Sequence, residues 1–413
     1  MRIGRSLQTG RGQAPMVLFG PNNIFARKLA SNAALATDQT PALQMANQMN
    51  YANTNYSFDG SPAPSFYGYS GLGYGGWPAG FQTNLSYTSF TIAFYVVDSS
   101  VPNQKVTFVN FSDATHWTTQ PNGAHQNLQA GFNAVPVPDV TKIPQGQIWP
   151  NGTDRHVCIW RPSTNEYWEM WRFYDSSLYP SPPAPTTGYV FGNGAYTNSA
   201  NTFNGIWPFS WGARATSLAA SGGLITQQDI IDVLNGLPIR HSIGVALEVI
   251  ANVAVPPTTR NDTHSSTPQF QADGTTPNPA FGYVDAVGEG TWCRFPASFN
   301  PASAMPGAGP IALAIATAIR DYGLFVMDGS GSISFNLEDP RVLGSPYSYA
   351  KVNAFAGSTG LAAGWYDSYI NNNVPSTWTD SSLAKVTEVT NGLNSVFSQI
   401  PWQQLQVLQP FSS

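Results

Sequence analysis

The pattern of apolar positions is most pronounced between Asp154 and Tyr174, where two strand-like runs flank a turn. Val157–Trp160 is apolar, Arg161–Asn165 contains turn-forming residues, and Glu166–Tyr174 is rich in aromatic residues. Two β-prone segments on either side of a Pro/Ser/Asn break predict an antiparallel hairpin. Because the second strand carries so many aromatic residues, we expect a central strand with both faces covered.

Further strand-like runs follow at short intervals and are separated by turns that contain Gly and Pro. They are Tyr87–Val97, Lys105–Asn110, Gly188–Phe191, Ile206–Trp211, Ile243–Val255, Gly290–Pro296, Leu324–Asp328 and Leu405–Leu408. Many short strands with a few isolated helices predict an all-β fold, either a β-sandwich or a jelly roll. We expect the last strand to fold back into the sheet.

Five helices are predicted from caps and apolar spacing. They are a helix from Asn22 or Asn23 through Leu35, one that starts at Thr40-Pro41, Gln227–Asn235 between a Thr226–Asp229 capping box and Gly236, Ile311–Tyr322 before Gly323, and one from Ser381 or Ser382 through Phe397. The fourth is apolar nearly all round, so it should be buried.

The chain divides into an N-terminal arm, residues 1–58, and a β-sandwich domain, residues 59–413. Asn and Gln dominate the end of the arm, which has little of its own to bury and should pack on something else. Two interpretations stay open: an assembly or anchoring segment, and a helical annex of the main domain.

Composition points to an extracellular or virion β-protein. Charged residues make up only 10%, while the chain contains 38 Gly, 33 Pro and 13% aromatic residues. The net charge of −5 argues against a nucleic-acid partner, which would need a basic stripe. No apolar stretch is long enough to span a membrane, and the N-terminus lacks the apolar core of a signal peptide. A protein released by lysis fits this combination.

The two cysteines, Cys158 and Cys293, lie in predicted strands. Buried free thiols are the favoured interpretation, and a single disulfide is the alternative. No metal site, phosphate loop or other cofactor motif is recognised.

Candidate catalytic residues are few. Glu166 and Glu169 are three residues apart, so on a strand they face opposite sides and cannot act together on one sugar. His241 likewise cannot meet Glu248 on one strand face, because seven is an odd offset. If the protein is an enzyme, Glu169 and His241 are the residues that we would test, although a non-enzymatic role is favoured.

Recognition is expected in three loops, at residues 60–80, 111–127 and 256–280. Aromatic side chains beside amides suit sugar stacking, and the predicted carbohydrate-binding residues are Tyr67, Tyr69, Tyr74, Trp77, His116 and Trp117. For the first of these segments a packed irregular loop is the favoured interpretation, and the sugar-stacking surface is the alternative.

Several ordered motifs between residues 150 and 410 resemble a family of bacterial and phage proteins. They are DRHVCIW…NEYWEMW, GARATSLAASGGLITQQDI, IRHSIGVALEV, EGTWCRFP and AIRDYGLFVMDGSG. The chain departs from the family pattern at Asp229-Ile230, where Asp-Glu is usual, and at Ser242, where Ala is usual. The resemblance implies a jelly-roll-like domain shared by secreted actinobacterial proteins of unknown activity and actinobacteriophage minor tail proteins. The N-terminal stretch is similar to the phage branch.

The leading hypothesis is a virion protein, a minor tail or tail-tip subunit that contacts host-envelope glycans. Its expected partners are other tail proteins and further copies of itself, with a trimer as the guess. The alternative is a polysaccharide lyase or glycosidase that acts on cell-envelope glycan.

Overall fold

The computed structural model describes about half of the chain. The described residues are 20, 22–54, 84–86, 92–108, 129–138, 155–175, 188–190, 192–207, 212–226, 229, 232–233, 236–247, 250–261, 287–330, 333–336, 338 and 400–410. The predicted helix from Ser381 or Ser382 through Phe397 lies outside these residues.

Short strands dominate the described residues. They are β1 (Asn84–Ser86), β2 (Ile92–Val96), β3 (Val106–Phe108), β4 (His156–Arg161), β5 (Glu166–Met170), β6 (Phe173–Asp175), β7 (Gly188–Val190), β8 (Gly194–Thr197), β9 (Ile243–Leu247), β10 (Ile250–Ala254), β11 (Val287–Glu289), β12 (Trp292–Arg294), β13 (Leu324–Gly329), β14 (Ser334–Asn336) and β15 (Gln406–Val407). The α-helices whose bounds are described are α1 (Thr40–Thr54), α2 (Pro301–Ala304) and α3 (Pro310–Asp321). The predicted all-β class with isolated helices is confirmed.

The strands form four sheets, of which the three larger are mixed. Their spatial orders are β1-β14-β9-β13-β12-β15, β2-β4-β5-β8 and β3-β7-β6, and β10 pairs with β11 in parallel. Among the described strands, none of these sheets closes into a barrel. Parallel pairs such as β2 with β4 and β9 with β13 lie beside antiparallel ones.

The predicted hairpin is confirmed as the centre of the four-stranded sheet, but its second strand ends at Met170 and not at Tyr174. Arg172 has a left-handed φ of 58°, and Phe173–Asp175 is β6 of the three-stranded sheet. β4 and β5 pair antiparallel with Trp160 opposite Tyr167, and every residue of β4 is buried. A short 3-10 helix, Pro162–Thr164, makes the turn, and Asn165 leaves it with a left-handed φ of 59°. Asn tolerates this conformation better than most residues.

Three clusters of buried apolar side chains lie between the sheets and helices. The two faces of the four-stranded sheet contribute to different clusters, because successive strand residues point to opposite sides. Cys158 and Tyr167 belong to a cluster that also contains Trp292 and Phe325 of the six-stranded sheet. Val157 and Trp168, on the other face, pack with the three-stranded sheet. The opposite face of the six-stranded sheet packs against α1 and α3.

The buried helix predicted at Ile311–Tyr322 is confirmed as α3. Its packing against the six-stranded sheet buries Ile311, Ile315 and Ile319. Gly323 ends it with φ +98°, and a Cβ there would lie 2.1 Å from the Trp292 indole nitrogen. Glycine is therefore required by both the backbone conformation and the space.

The N-terminal segment departs from its prediction in one place. Residues 22–36 form turns and extended backbone, so the helix predicted through Leu35 is wrong. Buried Asn23 binds the Phe25 amide with its side chain, and Ile24 and Phe25 pack in the cluster between the two sheets. Tertiary burial has overridden the helical spacing.

The described residues that follow, from Thr37 to Met49, pack on the main domain. The helix predicted from Thr40 is confirmed, and its Met45 and Met49 are fully buried. The Gln39 carboxamide binds both the N–H and the C=O of Val407, so it completes the exposed edge of β15. β15 pairs with β12, as expected for a last strand that folds back. The boundary near residue 58 and the assembly role stay predictions.

The remaining strand predictions are confirmed with altered bounds, except Ile206–Trp211, whose described residues Ile206 and Trp207 form no strand. The run Ile243–Val255 is two strands, β9 and β10, that belong to different sheets. Ile206 forms only an isolated bridge with Leu218, and residues 208–211 and 87–91 lie outside the described residues.

Candidate functional site

The predicted carbohydrate-binding residues cannot be placed. Tyr67, Tyr69, Tyr74, Trp77, His116 and Trp117 lie outside the described residues, as does most of the loop at 256–280. Among the described residues, the candidate site is built around the buried Glu169 of β5.

Glu169 is fully buried and its carboxylate binds backbone. Oε1 accepts the Ala213 amide at 2.7 Å, and Oε2 accepts the Ala220 amide at 2.8 Å. Both amides belong to residues 212–221, which we call the clasp segment. As predicted, Glu169 lies on the same face as Tyr167. Glu166 instead accepts hydrogen bonds from Thr164 at the turn and from Tyr196.

The Tyr167 hydroxyl links this carboxylate to the clasp segment a second time. Tyr167 donates to Glu169 Oε2 at 2.9 Å, and its hydroxyl lies 2.8 Å from Ser221 Oγ and 3.3 Å from Cys158 Sγ. The Tyr167 ring lies parallel to Trp207, with the ring centroids 6.2 Å apart. Packing therefore fixes the hydroxyl in place.

Arg260 holds the carbonyl groups of the same segment. Its Nη2 donates to the carbonyl oxygens of Gly212 at 3.0 Å and Arg214 at 2.6 Å, and its Nε donates to Ala215 O at 2.8 Å. A buried carboxylate thus binds the amides of the segment while a buried guanidinium binds its carbonyl oxygens. Both ions are used to satisfy backbone that would otherwise be buried without partners.

Further contacts fasten the clasp segment to both large sheets. His156 Nε2 lies 2.7 Å from Ala213 O, on the side of the four-stranded sheet. Arg214 binds Asp328 at 2.9 Å, and Thr216 donates to Met327 O in β13 of the six-stranded sheet. The segment therefore bridges the two sheets.

The next residues after the clasp segment run close against β9. Gly223 has φ +66°, and a Cβ there would lie 2.4 Å from the Gly244 nitrogen. The Gly244 amide donates to Gly223 O at 2.9 Å. Only glycine allows this approach.

Burial dominates the electrostatics of the site. It raises the pKa of Glu169 to about 7, although the hydrogen bonds from Ala213, Ala220 and Tyr167 act in the opposite direction. Burial also lowers the pKa of Arg260 to about 10, with Glu169 the largest opposing influence. The charged form of a desolvated group is costly, and here no cationic side chain among the described contacts bonds the carboxylate directly.

His241 occupies a different network, at the helix start that the capping box predicts. Asp229 accepts from the Thr226 amide and hydroxyl, and Thr226 Oγ1 accepts from the Asp229 amide, so the capping box is confirmed. His241 Nε2 lies 3.0 Å from Asp229 Oδ2, and its Nδ1 lies 2.8 Å from Ser242 O. Gly236, with φ +80°, follows where the stop was predicted.

The structure does not bring the two candidate catalytic residues together. The hydrogen bonds of Glu169 run to the clasp segment and Tyr167, whereas those of His241 run to Asp229 and Ser242. Sequence reasoning missed Arg260, because it stands in a polar stretch without periodicity. Its only signal was an arginine at the start of a loop that is otherwise poor in charge.

The structure also bears on the cysteines, on metal sites and on membrane spans. Cys158 and Cys293 are buried free thiols, as favoured, so the disulfide alternative is wrong. Within the described residues no cluster of His, Cys, Asp or Glu is arranged to hold a metal ion. No helix in the described part of the chain has the length and apolar character needed to cross a membrane.

Comparison with known proteins adds no relative. The chain matches no protein-family model, no curated protein and no solved structure. The resemblance to the phage and actinobacterial family therefore stays a prediction, and the functional argument rests on the residues described above.

Proposed function

We propose that the chain is a virion structural protein, a minor tail or tail-tip subunit that contacts host-envelope glycans. The observation that carries the proposal is the use of the buried ions: Glu169 and Arg260 both bind backbone of the clasp segment. Groups committed to holding the fold favour a structural or binding protein over a catalyst. The low share of charged residues in the whole chain, 10%, supports the same choice.

For the fold we propose a β-sandwich with jelly-roll-like connections. The support is the apolar cluster shared by Phe94 and Tyr167 of the four-stranded sheet and Phe325 of the six-stranded sheet. A jelly-roll order of strands would have to include the parallel pairing of β2 with β4. An experimental structure of the whole chain that traced a different strand connection would reject the jelly roll.

Assembly through the N-terminal arm is tested best by a short truncation. Removing residues 1–58 would also remove Met45 and Met49 from the core, and misfolding would obscure the result. Removing residues 1–19 leaves all described residues in place. We expect the truncated protein to fold but to be missing from purified particles by mass spectrometry; normal incorporation would reject an assembly role for this stretch.

Glycan contact is tested on an array of envelope glycans. Tyr67→Ala with Trp77→Ala, and separately Trp117→Ala, should abolish binding of the full chain. The matched control is Tyr322→Ala, at the half-buried end of α3. Undiminished binding by the loop variants would exclude these side chains as the contact.

A second candidate, a polysaccharide lyase or glycosidase, rests on one observation. Because burial raises the pKa of Glu169 to about 7, the carboxyl group is suited to proton transfer at neutral pH. The test is release of sugar from purified cell wall by the wild type, Glu169→Gln and His241→Gln. Activity that both variants lose would favour the enzyme, and no release from any glycan tested would reject it.

A further inference from the structure

Three cationic side chains meet around a single carboxylate where α3 ends. Lys28 Nζ lies 3.4 Å from Asp321 Oδ2, and Arg320 Nε donates to Asp321 Oδ1 at 2.7 Å. Arg294 of β12 lies beside them, because its Nη1 donates at 2.8 Å to the carbonyl oxygen of Ala30, two residues beyond Lys28. We call Lys28, Arg294 and Arg320 the basic cluster. Its one described carboxylate leaves a local excess of positive charge, although the whole chain has a net charge of −5.

Backbone carbonyl oxygens hold the two guanidinium groups of the basic cluster in place. Arg320 Nη1 donates to Phe299 O at 3.1 Å, and Arg294 Nε donates to Phe295 O at 2.9 Å. A carbonyl oxygen orients a guanidinium group but does not neutralise its charge. Both groups are therefore fixed in position and still able to attract an anion.

Arg294 is a buried cation that forms no ion pair with any described carboxylate. The residue is only 4% exposed, and its Nη2 has no hydrogen-bond partner among the described residues. Burial lowers the pKa of Arg294; the Asp321 charge opposes this shift, and the Arg320 charge adds to it. A desolvated cation beside a like charge is costly, so a bound anion would stabilise this arrangement.

The charge and the donor groups favour phosphate over a carboxylate. A phosphate monoester carries about −1.5 to −2 at pH 7 and offers three strong acceptor oxygens, which suits three cations around one carboxylate. Guanidinium groups bind such an oxyanion through their planar fork, and a lysine binds it as a point charge. The negative net charge of the chain disfavours nucleic acid as the carrier, because that partner would need a longer run of cations.

We propose that the basic cluster binds a phosphate group carried by a host-envelope glycan. The phosphate contacts Lys28 Nζ, Arg294 Nη2 and the Arg320 guanidinium. Asp321 sets the spacing of Lys28 and Arg320, and the three cations outweigh its charge. The inference rests on the proposed function for the source of the phosphate, and it gives the glycan contact a second, charged attachment point.

The direct test is titration of the full chain with inorganic phosphate, glucose 6-phosphate and glucose at constant ionic strength. The side-chain ¹⁵N–¹H signals of Arg294 and Arg320 report binding. Both phosphate compounds should shift these signals saturably, with glucose 6-phosphate bound at least as tightly as inorganic phosphate, and glucose should shift neither. No saturable shift with either phosphate compound would overturn the site. Tighter binding of inorganic phosphate than of glucose 6-phosphate would overturn the glycan as its carrier.

Replacement of one exposed cation separates a defined site from the general field of the protein. The Lys28 side chain is 66% exposed, so Lys28→Met should fold as the wild type does. It removes one charged hydrogen bond, and the affinity for glucose 6-phosphate should fall about tenfold. The matched control is Lys105→Met, at an exposed position before β3, which should leave the affinity unchanged. Equal effects of the two substitutions would contradict the proposal.

Arg320→Lys tests the geometry of the site, because it keeps the charge but removes the planar fork. The affinity for glucose 6-phosphate should fall several-fold. An unchanged affinity would reduce the basic cluster to diffuse positive charge and overturn the proposal. The outcome is distinguishable from failure of the proposed function: loss of phosphate binding leaves the glycan contact of the loops standing, and absence of the chain from phage particles leaves the phosphate site standing.

Discussion

Two buried carboxyl groups in this protein, those of Glu169 and Asp229, have pKa values that are shifted in opposite directions. Burial raises the pKa of Glu169 to about 7, and its neutral hydrogen-bond donors do not restore the ordinary value. Burial acts in the same direction on Asp229, but the His241 charge and the Thr226 hydrogen bonds outweigh it and lower its pKa. A directly bonded cation makes the difference.

The histidine side of that pair shows the same principle. Both ring nitrogens of His241 face acceptors, Asp229 Oδ2 and Ser242 O, so only the protonated ring donates to both. Desolvation lowers the pKa of His241, yet the Asp229 charge prevails and raises it. The Asp229–His241 contact therefore shifts both pKa values toward the ionised pair, whereas burial shifts the pKa of Glu169 toward the neutral form.

The largest effect is expected at Arg260. Arg260→Met leaves the carbonyl oxygens of Gly212, Arg214 and Ala215 without their donor and removes a buried cation beside Glu169. We expect a loss of roughly 3–5 kcal/mol in the free energy of unfolding, measured with urea. The exposed Arg27→Met should change it by less than about 0.5 kcal/mol. A loss at Arg260 no larger than at Arg27 would mean that the clasp segment is held by other groups.

The next effect concerns Glu169 and depends on pH. In Glu169→Gln one amide N–H must face a backbone N–H, so we expect a loss of roughly 1–3 kcal/mol at pH 5. The wild type loses stability as pH rises toward 7, because its folded-state pKa is raised. The difference between the two proteins should therefore narrow by at most about 1.4 kcal/mol per pH unit. Urea unfolding at pH 5, 6 and 7 measures it, and a difference that widens with pH would contradict the raised pKa.

A smaller effect is expected at the capping pair. His241→Ala should cost about 1–2 kcal/mol at pH 6, since it removes the partner of the helix-capping Asp229. The wild-type contribution is complete below the unfolded-state value of 6.5 and is lost as pH rises through the raised folded-state pKa of His241. At low pH the contribution of the pair is lost again, as the pH falls below 3.8 and through the lowered folded-state pKa of Asp229. Urea unfolding of His241→Ala and of the exposed neighbour Arg240→Ala would show whether the loss is specific to the pair.

The smallest effect is expected from thiol reagents. Cys158 and Cys293 are buried, and burial raises the pKa of both. The folded protein should take up no iodoacetamide at pH 8, and the denatured protein should take up two equivalents, counted by mass spectrometry. Labelling of Cys158 in the folded protein at high pH would instead reveal opening of the clasp segment.

Local patterns predicted the parts of this molecule that depend on neighbours in sequence. The β4–β5 hairpin, the Thr226–Asp229 capping box and the stop of α3 at Gly323 each follow from a few adjacent residues. Glu169 was correctly placed on the face of Tyr167 by strand alternation. Its role could not be predicted, because the groups it binds, Ala213 and Ala220, lie more than 40 residues away.

The dependence on residues that are distant in sequence also explains the wrong and the missing predictions. Residues 22–36 have helical spacing, but Ile24 and Phe25 gain more by burial between the two sheets. Arg260 has no local pattern at all, and only the folded chain shows that it binds three carbonyl oxygens. Long-range satisfaction of buried backbone leaves little trace in sequence.

The most direct test of the account is the charge of Glu169 itself. The ¹³C carboxyl resonance of Glu169 can be followed from pH 4 to 9 in protein labelled at glutamate, with Glu169→Gln to assign it. The account predicts a single titration with its midpoint near pH 7. A midpoint near 4.5, the ordinary value for an exposed glutamate, would show that the carboxylate is not buried among neutral donors, and the contrast with Asp229 would fail.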